Sequence, residues 1–204
     1  MTQDISRKPM GERFEFLFSV ISSQRFLTKQ GLANEVPFFI CPYKPDEAVE
    51  MEQTISQLIK RLEQSGVRVL EINLYDQCIE IMKQREVWDK ALEAEPSVSK
   101  AEFKEDLLDG VLDPEQHLVP AMADLMGASE FDVLCITGVG EVFPYIRSHT
   151  VLNNLQSKAT QKPTVLFFPG TYTHSLESGA SLDLFGRLHD DKYYRAFNIY
   201  HCEP

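Results

Sequence analysis

The sequence predicts an α/β fold with a mostly parallel central sheet of about five strands. Helices flank this sheet in a three-layer arrangement that is Rossmann-like or resembles a degenerate P-loop fold. Short apolar runs rich in β-favouring residues recur along the chain and are typical of strands buried on both faces. Segments with helical spacing of apolar residues alternate with these runs. Residues 131–154 pass from such a run, through a glycine turn, into a helical pattern.

The N-terminal segment, residues 12–30, predicts a helix with a broad aromatic face. Phe14, Leu17, Phe18 and Ile21 fall on one side at helical spacing. Such a face packs onto its own domain or docks a partner protein, and we favour packing onto the domain.

A βαβ unit follows the N-terminal helix. Residues 36–41 form the first strand, a helix runs to about Gln64, and Gly66 ends it before a second strand at residues 67–72. The helix is indicated by four apolar residues at helical spacing: Met51, Ile55, Leu58 and Leu62. The two strands are therefore expected to be parallel members of one sheet.

Residues 75–128 predict an acidic helical insertion between the second and third strands, too long for a simple crossover. Ser99 and Glu102 have the spacing of a capping box, and Asp113 and Pro114 suit the start of a further helix. The first helix of the insertion is predicted from four residues: Ile79, Met82, Trp88 and Leu92.

The C-terminal half, residues 131–204, contains the remaining strands of a domain predicted to span residues 1–204. The third strand is expected at residues 131–136 and the fourth at 163–168. Residues 169–174 are predicted to form the loop after the fourth strand. Residues 196–201 are expected to form a fifth strand at the edge of the sheet.

The composition limits the function classes. The net charge is −11, and the first 130 residues carry −10 of it, so free-standing nucleic-acid binding is not expected. No run approaches the ~20 apolar residues of a membrane span, which predicts a cytoplasmic protein without a membrane partner. The four cysteines are scattered; Cys41 and Cys135 are expected to be core residues.

Known nucleotide motifs are incomplete in the glycine turn after the third strand. The turn offers Gly138 and Gly140 but no lysine, and Glu141 stands where a phosphate would bind. Phe143 occupies the third glycine position of a dinucleotide fingerprint. No nucleotide cofactor is predicted.

The sequence likewise predicts no catalytic residue and no metal ligand. His149, His174 and His189 occur without HxxxH, HxH or HExxH spacing, and no GxSxG elbow accompanies the serines. The run His189-Asp190-Asp191 suits either a metal ligand with carboxylates or a solvated turn, and we favour the turn.

Polar residues are instead dense after the third and fourth strands and in the tail. If the sheet is parallel, the first two groups meet at its carboxyl edge and form a ligand- or partner-binding surface. The alternative is a polar network that satisfies long loops. The candidate residues are Gly138, Gly140, Glu141, Tyr145, Arg147, His149, Asn153, Asn154, Gly170, Thr171, Tyr172, His174, Arg187 and His189.

Several segments resemble the BrxB family, a small core component of BREX (bacteriophage exclusion) defence systems. The resemblance covers about residues 13–201 and is carried by residues 34–40, 70–75, 137–144, 147–149, 152–155, 168–170 and 184–188. It implies a subunit of a multi-protein assembly that also contains a DNA methyltransferase, a large ATPase and PglZ, an alkaline-phosphatase-superfamily protein. It implies no catalytic residues.

Two hypotheses follow. The first is a non-enzymatic scaffold or adaptor that binds other BREX proteins, with PglZ as the favoured direct partner. The second is a ligand-binding protein or a metal- or nucleotide-dependent enzyme that uses the loops at the carboxyl edge of the sheet. The partner-binding face, the oligomeric state and a DNA-mimicking role for the acidic insertion stay open at this point.

Overall fold

The computed structural model describes residues 5–30, 37–155, 161–175, 179–186, 188–190 and 196–204, and it confirms the predicted α/β class. The strands in these ranges are β1 (Phe38–Tyr43), β2 (Val69–Asn73), β3 (Val133–Thr137), β4 (Thr164–Ser175), β5 (Gly179–Leu184), β6 (Leu188–Asp190) and β7 (Phe197–Asn198). The α-helices are α1 (Met10–Ser22), α2 (Gln24–Leu27), α3 (Ala48–Gln64), α4 (Leu74–Gln84), α5 (Trp88–Ala94), α6 (Lys100–Gly110), α7 (Val119–Ala128) and α8 (Ser148–Leu155). None of the helices described is long and apolar enough to cross a bilayer.

The central sheet has the strand order β2-β3-β4-β1-β7, and each neighbouring pair along this path is parallel. The last strand lies at the edge, as predicted, but it is shorter than expected. Only Phe197–Asn198 pair with β1, and Ile199–His201 turn into a 3-10 helix. The Asn198 side chain accepts a hydrogen bond from the Tyr200 amide (3.0 Å) and so caps this helix.

The two faces of the sheet pack against different helices, which confirms the three-layer arrangement. Along β1, Phe38 and Ile40 join a core with α4, α7 and α8, whereas Phe39 and Cys41 join a core with α1 and α3. This alternation follows from the two-residue period of a strand. The strands are apolar on both faces for the same reason.

The N-terminal helix packs onto the domain, as favoured from its aromatic face. Leu17, Val20 and Ile21 are fully buried against the layer that contains α3. The buried Arg13 donates a hydrogen bond from Nη1 to Glu47 Oε2 (2.7 Å) and another from Nε to the Tyr200 hydroxyl (3.1 Å). Arg13 therefore joins α1, the turn after β1 and the C-terminal 3-10 helix.

The helical insertion is present, with the predicted caps. Ser99 and Glu102 form the reciprocal capping box at the start of α6, and Asp113 caps a π-helical turn that begins at Pro114. The prediction that Ile79, Met82, Trp88 and Leu92 share one helix is wrong. Glu86 adopts a left-handed backbone (φ 57°), and the Val87 amide bonds back to Met82 O (2.9 Å), which ends α4 before α5 begins.

The prediction that residues 169–174 form a loop is also wrong, because β4 continues to Ser175. The chain changes partner at Pro169 and Gly170. Before them β4 pairs in parallel with β1 and β3; after them it pairs antiparallel with β5, which in turn pairs with β6. Proline and glycine thus mark a change of neighbour rather than the end of a strand.

Candidate functional site

A polar crevice of about 250 Å³ lies at the carboxyl ends of the parallel strands. Tyr43 comes from the end of β1, Asn73 from the end of β2 and Thr137 from the end of β3, while α3 forms the opposite wall. The helix after β1 covers one face of the sheet, and the helices after β2 and β3 cover the other face. Ligands of open α/β sheets bind where connections part in this way.

The floor of the crevice is fixed by contacts between β2 and β3. The Thr137 hydroxyl donates to Glu71 Oε1 (3.0 Å). Asn73 Oδ1 accepts from the amides of Tyr75 (2.9 Å) and Asp76 (3.2 Å), which caps α4. Gly138 follows Thr137 with φ +72°, a left-handed conformation that glycine adopts without steric cost.

The side chains that line the crevice carry negative charge. Partial burial, together with the nearby carboxylates of Glu52 and Asp76, raises the pKa of Glu141. Burial, aided by the charges of Cys41, Glu141 and Glu52, raises the pKa of Tyr43 to about 12. These shifts favour neutral side chains, and a bound cation would reverse the shift of Glu141.

This charge limits the ligands that the crevice accepts. Glu52, Glu71 and Glu141 line it, and within the part of the chain that the structure describes its lining includes neither lysine nor arginine. Phosphate groups are repelled by such a lining, whereas an amine or guanidinium is attracted. Among the residues placed by the structure, no three His, Cys, Asp or Glu side chains are grouped to hold a metal ion.

The predicted site residues of the glycine turn after β3 lie in two different places: some line the crevice, and Gly140 packs against the strands beside it. Gly138 and Glu141 line the crevice. Gly140 instead packs against the β4–β5 ribbon, because a Cβ added there would lie 3.0 Å from Pro169 Cγ and 3.3 Å from Phe185 Cε1. This contact brings the glycine turn next to β4, as the parallel sheet predicts.

The polar residues around α8 do not converge. The helical pattern predicted within residues 131–154 corresponds to α8, which begins at Ser148, and Val142 and Ile146 are buried in the turns and bends before it. Arg147 and Asn153 are exposed, whereas His149 is buried. Tyr145 is half-buried beside the insertion, and the Asn154 amide donates to Thr150 O (2.9 Å) within the helix.

The predicted site residues 170–174 lie on β4 itself, and not in a loop after it. Gly170 is buried against β5, and the Thr171 hydroxyl donates to Asp183 Oδ2 (3.3 Å). The buried Tyr172 donates its hydroxyl to Ala196 O (2.6 Å), which ties β4 to the segment before β7. Arg187 and the side chains of His174 and His189 lie outside the described residues.

A second surface feature, on the insertion, was not predicted as a site. Helices α4, α5 and α6 surround an apolar groove of about 240 Å³, which we call the insertion groove. Glu141 lies between this groove and the crevice and lines both. The apolar groups that line it come from Tyr75, Cys78, Ile79, Met82, Trp88, Ala91, Leu92, Phe103, Leu107, Leu112, Val142 and Tyr145.

Comparison with known proteins identifies the family. The family model described as "BREX protein BrxB" matches residues 70–199. A "BREX protein BrxB" of Bacillus cereus (strain H3081.97) is 34% identical over 194 residues, which cover 93% of this chain and 97% of the relative. The chain belongs to the BrxB family. Another BrxB protein, from Escherichia coli O9:H4 (strain HS), is 26% identical over 92% of this chain and 90% of its own length.

The family assignment confirms the resemblance and makes this protein a BREX component, which works with other BREX proteins and is consistent with a role in phage defence. No solved structure is significantly similar to it.

Two sets of site residues in this BrxB protein were missed from the sequence. Asn73 and Glu71 of the crevice follow the rule used for the third strand, because they stand at or near the carboxyl end of β2. Polar residues at the carboxyl end of a buried strand are therefore the signal that points to them. The spacing of Trp88 and Leu92 predicted only a helix, and nothing in that spacing marks Tyr75, although all three residues line the groove.

Proposed function

We propose that this BrxB protein is a non-enzymatic scaffold or adaptor of a cytoplasmic BREX assembly. Its role is to bind other BREX subunits, with PglZ as the favoured direct partner. The observation that carries this proposal is the apolar surface on the acidic insertion. Tyr75 (44% exposed) and Leu92 (48% exposed) stand at the insertion groove, and large exposed apolar side chains beside a groove are typical anchors of protein interaction sites.

The test is co-expression with the other proteins of the same BREX locus, followed by purification through a tag on this chain. Size-exclusion chromatography with light scattering then gives the mass of each species. The proposal predicts a complex of defined stoichiometry that contains PglZ and survives chromatography. A lone BrxB chain in every such preparation contradicts it.

A second candidate function is favoured by the crevice, which lies at the usual ligand position of the fold. In this alternative the protein binds a small ligand, and the acidic lining favours an amine or another cation that Glu141 contacts over a nucleotide. A metal- or nucleotide-dependent enzyme, the other form of this alternative, finds no support in that lining. A ligand that binds only the native state raises the melting temperature. The experiment is thermal unfolding with a panel of nucleotides, divalent ions and small amines.

The two candidates give different results. The alternative predicts a shift of several degrees with at least one compound, and loss of that shift in Glu141→Ala. The adaptor proposal predicts no turnover of nucleotide or nucleic acid by the purified chain. Turnover that is lost in Glu141→Ala would refute the adaptor proposal and establish the alternative.

A further inference from the structure

The insertion groove includes apolar side chains of α5, a helix that is only partly buried by the rest of the domain. None of the seven residues of α5 is fully buried, although Trp88, Ala91 and Leu92 face the groove. Burying such side chains contributes roughly 25 cal/mol per Å² of apolar area removed from water. A partner seated here therefore gains free energy without unfolding any part of the domain.

The size of the groove favours a few anchoring side chains over a free small molecule. Its volume of about 240 Å³ holds only a few side chains, and its largely apolar lining offers few polar groups that would fix the orientation of a free small molecule. Protein interfaces, in contrast, obtain most of their affinity from a small number of apolar or aromatic anchors in well-packed pockets. The groove therefore suits anchors that belong to a larger partner.

The charge around the groove specifies the chemistry of that partner. Residues 75–128 contain 13 acidic and 5 basic side chains. Glu95 and Glu141 are the charged residues of the described part of the chain that line the groove itself. An acidic rim around an apolar floor complements an apolar stripe flanked by lysine or arginine, because opposite charges raise the association rate and fix the register.

The backbone around the groove favours one conformation of the bound partner segment. Helices α4, α5 and α6 form most of its walls, and many of their amides and carbonyls are already bonded within the helices. The strands of the described residues contribute no edge to the groove, so an added strand would find no backbone partners there. An amphipathic helix needs none, since its apolar side chains alone enter such a groove.

We propose that the insertion groove binds a basic amphipathic helix of another BREX protein. The helix places apolar side chains of one face against Trp88 and Leu92, while its lysine or arginine residues lie beside Glu95 and Glu141. This inference rests on the proposed adaptor function and deepens it, because it assigns the binding surface.

The first test compares two exposed leucines on the insertion. Leu92 lines the groove, whereas Leu125 on α7 is 39% exposed and lies outside it. Leu92→Glu is expected to weaken binding of the co-expressed BREX partner at least tenfold, as removal of an anchor does, and Leu125→Glu to change it less than about threefold. Isothermal titration gives both values, and circular dichroism checks that both variants are folded.

The second test concerns the basic character of the partner. Glu95→Lys reverses a charge at the groove, and Glu63→Lys makes the same reversal on α3, which covers the other face of the sheet. Glu95→Lys is expected to lower the association rate severalfold at low salt, and 0.5 M NaCl is expected to reduce the difference. Glu63→Lys is expected to behave like the wild type.

Hydrogen exchange of the complex locates the partner segment and completes the test. Protection of a partner helix with apolar residues at helical spacing and flanking lysine or arginine supports the proposal. The groove proposal is contradicted if Leu92→Glu binds with wild-type affinity, or if the protected partner segment is extended or acidic. Either result is still compatible with the adaptor function. Absence of any complex with the wild-type chain overturns the adaptor function itself, and the groove proposal with it.

Discussion

The side chain of Asn73 occupies the space that a side chain at Gly138 would need. A Cβ built on Gly138 would lie 2.3 Å from Asn73 Oδ1, the atom that accepts hydrogen bonds from the first amides of α4. Asn73 ends β2 and Gly138 follows β3, so this contact joins two neighbouring strand ends at the floor of the crevice. The glycine is required both for this approach and for its φ of +72°.

Gly138→Ala is therefore expected to lower the free energy of unfolding by about 1–3 kcal/mol, because it adds backbone strain and displaces a helix cap. Urea denaturation measures this loss. Gly127→Ala is a matched control, since Gly127 lies in α7 with no atom within 4 Å of an added Cβ. This control is expected to be neutral or slightly stabilising.

A double-mutant cycle separates the two causes. Asn73→Ala removes the cap and is expected to cost about 1 kcal/mol. If the clash contributes, the double variant Asn73→Ala/Gly138→Ala loses less stability than the sum of the single variants. Strict additivity would mean that backbone strain alone accounts for the effect of Gly138→Ala.

The fold class was predictable because the spacing of apolar residues along the chain indicates which side chains are buried. The strands are apolar on both faces, and their carboxyl ends carry the polar turns, so the three-layer arrangement and the glycine turn at Gly138 were predicted correctly. Caps were predictable for a similar reason. Ser99 with Glu102, and Asp113 with Pro114, use local hydrogen bonds that depend only on spacing.

The errors share a physical cause, which is long-range packing. Glycine and proline are common at loops, yet Gly170 continues β4 because another strand approaches it, and the sequence near Gly170 does not contain that information. Glu86 adopts a left-handed conformation that is uncommon for glutamate, so the break before Trp88 left no local signal. Helices α4 and α5, which lie on either side of that break, both line the insertion groove.

Gly170→Ala tests whether the predicted site residue Gly170 has a packing role. An added Cβ would lie 2.1 Å from the Asp183 carbonyl oxygen, so β4 and β5 must separate. Overpacking of this kind is expected to cost about 1–3 kcal/mol. Thr171→Ala, at the exposed neighbour, is expected to change stability by less than about 0.5 kcal/mol. Urea denaturation compares them, and wild-type stability of Gly170→Ala would favour the ligand-contact hypothesis instead.

Stability below pH 4 is expected to depend on Asp132, which joins the beginnings of β2 and β3. Its carboxylate accepts hydrogen bonds from Arg68 Nη2 (2.8 Å), Nε (3.0 Å) and the Arg68 amide (3.0 Å). These bonds from Arg68 lower the pKa of Asp132 from 3.8 to about 2. A lowered pKa in the folded state means that the unfolded chain binds more protons, so the stabilisation is complete above pH 3.8 and is lost as the pH falls towards 2.

Unfolding free energies measured from pH 2 to pH 6 test this dependence. The difference between the wild type and Asp132→Asn is expected to be largest near pH 6 and to shrink as the pH falls below about 4. Glu130 also accepts from Arg68 (2.7 Å) but its side chain is 91% exposed, so Glu130→Gln serves as a control with little effect. A difference independent of pH would contradict the role of the carboxylate charge.

Arg13 is expected to be the most costly charged residue to remove among the ion pairs described here. Its side chain is 1% exposed, and its loss removes the charged donor to Glu47 and leaves the buried Tyr200 hydroxyl with only the weak Cys41 thiol donor (3.4 Å) among the donors described. We expect Arg13→Ala to cost about 3 kcal/mol, the lower end for breaking a buried pair, because Glu47 is 26% exposed.

Arg25→Ala is the matched control for Arg13→Ala. Arg25 pairs with Glu203 (2.5 Å), but both side chains are exposed, so the loss is expected to stay below about 1 kcal/mol. Arg13→Lys keeps the charge but not the geometry that reaches both Glu47 and Tyr200, and it is expected to be intermediate. Urea denaturation ranks the three variants. Equal losses for Arg13→Ala and Arg25→Ala would show that α1 is held by its apolar face alone, without help from the buried guanidinium.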